Sequence, residues 1–306
     1  MNTITQFAPK PFLKWAGGKG QLIPQIEPLL PKELTLTGKI KNYLEPFMGG
    51  GAVYFWLCSQ FEFENVFLYE LNHDVADCYQ AIKTRTGSLI HELADLEKEY
   101  LSKSDQRREK FYYEKRLEFN RVSGPGSRNH VIRKSALLIF LNKTCYNGLY
   151  RVNASGEFNV PFGRYKNPTI CYQENLWAVH EALKKATIVR GDFSRCLQDA
   201  DDRSFVYFDP PYRPLSKTAN FNSYSCDAFD DNEQRRLKSV IDQLTDKGAY
   251  VMLSNSDPKN HNPKDNFFDD LYHGYHINRL KATRMINCNS SSRGEIYEIL
   301  VTNYDR

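Results

Sequence analysis

The sequence predicts an α/β fold built around a largely parallel sheet, and three observations carry that expectation. Short apolar runs rich in β-forming residues recur at 40–47, Val66–Tyr69, Thr187–Val189, Ser204–Phe208, Ala249–Leu253 and Ile296–Val301. Between two of them lies Asp231–Asp246, which puts Leu237, Val240, Ile241 and Leu244 on one helical face and is followed by the stop signal Gly248. The first run enters Glu45-Pro46-Phe47 and then Gly49-Gly50-Gly51, after which Ala52–Leu57 reads as the start of a buried helix, so strand, glycine turn and helix follow one another.

With 306 residues, 41% hydrophobic and 13% aromatic, the chain can bury a full core. The expectation is one large domain carrying a substantial insertion. No run of about 18 apolar residues occurs, and the start MNTITQFAPKPF lacks the apolar centre of a secretory signal. A cytoplasmic protein without membrane contact is expected. The cysteines (Cys58, Cys78, Cys145, Cys171, Cys196, Cys226 and Cys288) are odd in number, scattered and without a C-x-x-C pair. That pattern argues against a disulfide framework and against a zinc site, so no metal is expected.

Between residues 75 and 165 the strand and helix rhythm breaks. Long polar helical sequence leads to a loop at Ser123-Gly124-Pro125-Gly126-Ser127. In Tyr146–Phe162, two β-prone runs flank a turn at Ala154-Ser155-Gly156, which predicts a β-hairpin. Residues 76–165 therefore read as an inserted, largely helical domain, and residues 1–75 with 166–306 as the domain that carries the sheet. Residues 101–170 hold 14 Lys or Arg against five Asp or Glu, a surplus of nine in a chain of net charge +4. This is a candidate polyanion surface. The opposite charges at helical spacing among Arg107, Arg108, Glu109, Lys110, Glu114, Lys115, Arg116 and Glu118 fit an ordinary solvated helix face equally well.

The sharpest chemical signal is Asp209-Pro210-Pro211-Tyr212, directly after the apolar Phe205–Phe208. Loops at the carboxyl ends of parallel strands are where open α/β sheets bind ligands. An exocyclic amine in this loop could donate to the Asp209 carboxylate and the Pro210 carbonyl, turning its nitrogen lone pair outward. Two prolines stiffen the loop, and Tyr212 offers a stacking face to a base rotated out of its duplex. The plainer alternative is a proline-stiffened structural loop. The turn of Glu45, Phe47, Gly49 and Gly51, with Glu70 after the next apolar run, suits a nucleoside cofactor. Glycines admit it close to the backbone, and an acid there suits two ribose hydroxyls. Which nucleoside is left open, since Gly49-Gly50-Gly51-Ala52 is not a G-x-G-x-x-G fingerprint. In Lys14-Trp15-Ala16-Gly17-Gly18-Lys19 the spacing of a phosphate loop is absent, which makes an ATPase reading weak; a loop pinned by a buried Trp15 is the alternative.

Taken in order, FLKWAGGK from Phe12, EPF-x-GGG from Glu45, YNGLYR-x-N from Tyr146 and DPPY from Asp209 resemble the Dam-type, D12-class adenine-N6 DNA methyltransferases. The resemblance runs from Pro11 to Tyr304. It is closest to members that methylate GATC, particularly the Dpn-type restriction-system methylases, through FNVPFGRYKNP (Phe158–Pro168), YFDPPY (Tyr207–Tyr212) and SSSRGEI (Ser290–Ile296). It implies a Rossmann-like domain that binds S-adenosylmethionine, an inserted target-recognition domain, double-stranded DNA as partner, and base flipping before methyl transfer to N6. It also implies a restriction-modification setting, with a cognate endonuclease that reads the same site without forming a stable complex. By matching positions, Trp15, Lys19, Glu70 and Asp209 fall at the cofactor site, with Asp192 and Phe193 flanking its adenine. Many members carry Asp where this chain has Glu70, so the added methylene alters the reach of that carboxylate. The resemblance assigns DNA contacts to Lys14, Tyr146, Asn147, Leu149, Arg151 and Pro161. Arg can grip guanine through two bonds, Leu and Pro can touch a thymine methyl, and Tyr can wedge beside the vacated base. Two rival readings stand beside this one: methylation of another planar amine, in RNA or on a protein glutamine, and a DNA-binding module on an inactive methylase fold.

Overall fold

The computed structural model describes residues 7–15, 17–122, 128–213, 229–283 and 295–305. The expected loop Ser123–Ser127, Ala16, Cys226, Cys288 and the Ser290–Gly294 part of the SSSRGEI segment lie outside the described residues. Short helices α1 (Ile23–Ile26) and α2 (Lys32–Thr37) precede strand β1 (Lys39–Glu45) and helix α3 (Ala52–Leu57). Strand β2 (Glu62–Glu70) leads into the long α4 (His73–Leu101), then α5 (Asp105–Arg121) and α6 (Arg128–Thr144). The remainder is α7 (Gln173–Leu183), β3 (Ala186–Arg190), α8 (Cys196–Asp199), β4 (Ser204–Phe208), α9 (Asp231–Asp246), β5 (Tyr250–Ser256), α10 (Phe267–Leu271), β6 (His276–Thr283) and β7 (Glu295–Thr302).

All six expected strands are present, and β4 and α9 occupy the residues named from sequence. One strand was not expected. β6, HINRLKAT, sits at the sheet edge and pairs antiparallel with β7; Asn278, Arg279 and Lys281 interrupt the apolar run that marks the inner strands. The sheet order is β3-β2-β1-β4-β5-β7-β6, parallel from β3 to β5, with β7 antiparallel to β5. The chain winds from β1 outward through β2 and β3, then returns to β4 on the other side of β1. That reversal opens a crevice beyond the carboxyl ends of β1 and β4, where Glu45 and Asp209 stand.

Because side chains alternate along a strand, successive residues of the central strands feed two different cores. Tyr43, Phe205, Tyr207, Met252 and Leu300 join one; Leu44, Val206, Phe208, Leu253 and Val301 join the other. Residues of α3, α4 and α7 complete the first core, and residues of α8, α9 and α10 the second. A sheet covered on both faces explains why SFVYF is buried at every position and reads as a continuous apolar run.

Helix α4 starts on a cap in which the Asn72 side chain accepts from the amides of Asp74 and Val75. Lys83 donates to the Ala186 carbonyl at the start of β3, at 2.6 Å. At Arg85 the backbone leaves helical geometry (φ −145°, ψ 32°), and beyond that kink Tyr100 packs edge-on against Phe140 of α6 and tilted against Phe111 of α5. The first core continues without a break into α5 and α6.

The expected hairpin is an irregular ribbon instead of two paired strands. Residues 145–163 close through two isolated bridges, Cys145 with Phe162 and Val152 with Phe158, around a turn in which Asn153 N donates to Glu157 O. A regular ladder is broken because Tyr146–Gly148 forms a single 3-10 turn with Asn147 at φ 55°, and Pro161 has no amide to donate. Asn142, at the end of α6 and 1% exposed, pins this turn to the N-terminal loop. It accepts from the Lys14 amide at 2.7 Å and donates to the carbonyls of Lys14 and Gly148, each at 2.9 Å. Asn142→Ala leaves those buried groups unbonded and should lower stability by about 2–4 kcal/mol. Urea unfolding measures it, and an unchanged midpoint would contradict this role.

Candidate active site

The glycine turn after β1 is shaped by what lies against it. Gly49 and Gly51 have φ of 46° and 69°, a region that favours glycine. A Cβ on Gly49 would stand 2.7 Å from the Trp15 indole nitrogen, and one on Gly50 3.0 Å from the Trp15 Cβ. Trp15 in turn stacks on Tyr150 with ring centres 5.9 Å apart. So Trp15, expected at a cofactor site or as a buried pin, packs directly on the turn. The buried Glu70, at the carboxyl end of β2, accepts from the amides of Gly49 (3.0 Å) and Asn72 (2.8 Å). Its length lets it reach the turn.

Burial raises the Glu70 carboxyl to about 7, with those amides pulling it back down. Glu45, ending β1, is 2% exposed and accepts from the Tyr43 hydroxyl at 2.8 Å. Burial pushes it up to about 8, the Tyr43 hydrogen bond opposing.

Beyond β4 the Asp209-Pro210-Pro211-Tyr212 loop meets the N-terminal loop. The Lys19 ammonium, 2% exposed, donates to Asp209 Oδ1 at 2.6 Å, to the Tyr212 hydroxyl at 3.0 Å and to the Gly17 carbonyl at 3.0 Å. The Tyr212 hydroxyl donates onward to Glu298 Oε2 at 2.7 Å, and the Ser254 hydroxyl lies 3.3 Å from Asp209 Oδ1. Burial raises the Asp209 carboxyl and Lys19 opposes it; Glu298 is raised for the same reason. Pro210 is buried and Pro211 exposed. Asp192 and Phe193 follow β3 nearby: Phe193 lies 5.2 Å from Phe47, and both pack with Phe229. Two hydrogen bonds from Arg236, at 2.8 and 2.7 Å, hold the Asp192 carboxyl well below the usual carboxylate range, and the same guanidinium lies 4.0 Å over the Phe193 ring.

The remaining candidates gather on the ribbon. Tyr146 and Pro161 are exposed, Asn147 and Leu149 partly buried. Exposed Lys14 carries its ammonium 4.4 Å over the Tyr165 ring, and Gly148 must be glycine because a Cβ there would strike the Lys14 side chain. Arg151 Nε donates to Asn159 Oδ1 at 2.8 Å across the ribbon, and its Nη2 donates to the Asn159 carbonyl at 3.4 Å. The surplus of nine positive charges is not all surface charge. Arg108 donates to the carbonyls of Tyr100, Leu101 and Lys166, while Arg133 pairs with Glu92 and Glu118, Lys115 with Glu118, and Lys134 with Asp74.

A family model of the D12 class N6 adenine-specific DNA methyltransferases matches residues 15–286. The chain belongs to this family. It is 49% identical to the type II methyltransferase M.MjaIII of Methanocaldococcus jannaschii, over 96% of this chain and 99% of that one. It is 38% identical to the type II methyltransferase M1.LlaDCHI of Lactococcus lactis subsp. cremoris, over 96% and 95%. Against the DNA adenine methylase of Escherichia coli K12 it is 33% identical, over 94% and 93%. A D12-class methyltransferase is an enzyme that acts on DNA adenine, which removes the inactive-module reading and the non-DNA amines as first choices. Among the described residues no group of side chains is placed to hold a metal ion, the five described cysteines are free thiols, and no helix is long and apolar enough to cross a membrane.

Several site residues of this D12-class enzyme escaped sequence reading. Ser254 is a polar residue near the carboxyl end of a core strand, the same position logic that exposed Asp209. Glu298 is the one acid within the apolar run Ile296–Val301, a signal that a sequence carries. Arg236, Phe229, Asn142 and Asn159 carry no motif.

The raised carboxyls make a testable statement about stability. Glu45 and Glu70 bind protons more tightly folded than unfolded, so between about pH 5 and 8 the folded state holds more protons and stability falls as pH rises. Glu45→Gln keeps the Tyr43 hydrogen bond and removes one titration. Its Tm should therefore decline less steeply across that window than the wild type's, measured by differential scanning calorimetry; parallel slopes would contradict the assignment.

Proposed function

We propose that this chain transfers a methyl group from S-adenosylmethionine to N6 of the adenine in duplex GATC, extruding the target base, within a restriction-modification system. A cognate endonuclease would read the same site without a stable complex. Residues 76–165 serve as the target-recognition domain and the rest as the catalytic domain. The observation that carries this reading is the Asp209–Tyr212 loop at the winding reversal, its aspartate fixed through one oxygen by buried Lys19. The GATC target rests on the resemblance of the Phe158–Pro168 and Tyr207–Tyr212 segments, and the restriction setting on relatives named type II methyltransferases.

The residues present fit the cofactor. Asp209 and Glu298 lie 2.6 and 3.8 Å from one buried ammonium, Glu45 feels the same charge, and burial raises all three carboxyls, a setting in which a ligand with a positive sulfur would favour their ionised forms. Gly49 and Gly51 leave room at the turn, Glu70 suits ribose hydroxyls, and Asp192 with Phe47 and Phe193 suits an adenine. S-adenosylmethionine supplies a methyl group already activated by its sulfonium. The protein's task is orientation. Lys19 engages Asp209 Oδ1, which leaves Oδ2 to accept from the target amine, with the Pro210 carbonyl as second acceptor and the Tyr212 ring as stacking face. Lys14, Tyr146, Asn147, Leu149, Arg151 and Pro161 form the DNA-reading edge. Asn159 accepts from Nε and Nη2 of Arg151, which fixes the guanidinium and leaves its remaining N–H groups for a guanine.

Labelled methyl transfer to duplexes with and without GATC, followed by nucleoside analysis, should give N6-methyladenine in GATC duplexes; methyl on cytosine would reject the chemistry, and equal transfer to all duplexes the target. Asp209→Ala should abolish turnover with unchanged circular dichroism. Arg151→Ala should cost about five- to 150-fold in kcat/KM on GATC but flatten the preference at one guanine-bearing pair. An equal loss on every duplex, with rank order kept, would make Arg151 a backbone contact.

A further inference from the structure

Glu298 belongs to β7, where Ile299, Leu300 and Val301 are all buried, so a carboxylate is an expensive choice of side chain at this place. Its side chain is 12% exposed. The register of β7 against β5 sets Glu298 opposite Ser256, at the carboxyl end of β5 and one strand over from the Asp209 loop. There it accepts the Tyr212 hydroxyl at 2.7 Å, while the Lys19 ammonium is 3.8 Å away. The Lys19 ammonium already has three nearer acceptors, in Asp209, Tyr212 and Gly17. The close partner of Glu298 is therefore Tyr212.

We propose that Glu298 is a positioning residue for methyl transfer, holding the Tyr212 ring in one pose through its hydroxyl. The Tyr212 oxygen receives one hydrogen bond from Lys19 and gives one to Glu298, so both of its hydrogen-bonding roles are filled and the ring is tethered at its far end from two sides. A ring tied at its hydroxyl cannot swing about its Cα–Cβ bond without breaking a charge-assisted bond. Glu298 touches neither reacting atom in this account; it acts through Tyr212, where small misplacements of a stacked base are costly in rate. The inference rests on the reading of Asp209–Tyr212 as the loop that receives the target adenine.

The test compares Glu298→Gln, Glu298→Leu, Tyr212→Phe, Tyr212→Ala and the double variant Glu298→Leu with Tyr212→Phe, by kcat and KM for methyl transfer to the duplex that wild type methylates best, with Tm recorded for each. Gln keeps a carbonyl acceptor at the same reach and should stay within about threefold of wild type in kcat. Glu298→Leu removes the acceptor and should lower kcat about tenfold with the KM for DNA changed less than about twofold. Tyr212→Phe should reproduce that loss, and in its background Glu298→Leu should cost nothing further. A wild-type kcat in Glu298→Leu, a Gln variant as impaired as Leu, or equal losses by Glu298→Leu in both backgrounds each overturns the inference. If Glu298→Leu does not fold, Tyr212→Phe decides alone: an unimpaired kcat rejects the positioning role. Tyr212→Ala keeps the two readings apart, because full activity there refutes the loop assignment itself. An inactive Tyr212→Ala beside unimpaired Tyr212→Phe and Glu298→Leu refutes only Glu298.

Discussion

One buried ammonium organises the crevice of this protein. An isolated charge in such a place would be strongly disfavoured, and Lys19 is tolerated because all three of its donors are used, on Asp209, Tyr212 and the Gly17 carbonyl. Two of the three bonds join segments far apart in sequence, the N-terminal loop and the loop after β4, and through Tyr212 they reach β7 as well. Removing any acceptor leaves a charge in a low-dielectric setting, so the parts of this site are coupled energetically as well as spatially. Stability and orientation of the Asp209 loop are thus one property.

The rest of the crevice follows from the winding of the sheet. β1 and β4 are neighbours in space but separated in sequence by the whole path through β2, α4 to α7 and β3. Their carboxyl ends diverge into the glycine turn and the Asp209 loop, and the N-terminal loop closes over both, with Trp15 against Gly49 and Gly50, and Lys19 against Asp209. Trp15 and Lys19 are only four residues apart, so seating one constrains the other. Asn142 adds a second constraint by tying Lys14 to the ribbon turn, which links the ribbon to the loop that carries Lys19.

What sequence could reveal tracks with how local the determining physics is. β4 and α9 were legible because burial on both sheet faces, or on one helix face, writes a continuous or 3.6-residue apolar pattern. The Asp209–Tyr212 loop and the glycine turn were legible because proline and glycine constrain the backbone wherever they stand. β6 escaped because an edge strand meets solvent along one side and tolerates Asn278, Arg279 and Lys281. The ribbon at 145–163 departs from the expected hairpin because β-forming residues do not reveal a 3-10 turn at Tyr146–Gly148. Glu298 and Asn142 take their roles from partners 86 and 128 residues away, information that no local window contains.

Charge shows the same distinction between composition and placement. The basic surplus of residues 101–170 counts Arg108, Lys115, Arg133 and Lys134, which the fold consumes in bonds to carbonyls and acids of its own helices. Lys14 and Lys143 lie together by the ribbon turn. There burial together with nearby Lys14 lowers the Lys143 ammonium to about 8, the mark of cations crowded in a poorly solvated place. At the sheet crevice the titratable groups are mostly acids, Asp209 and Glu298 beside Lys19 with Glu45 and Glu70 at the neighbouring strand ends, and burial raises each of these carboxyls. A net charge of +4 therefore conceals uneven placement, with crowded cations by the ribbon and buried carboxyls at the crevice.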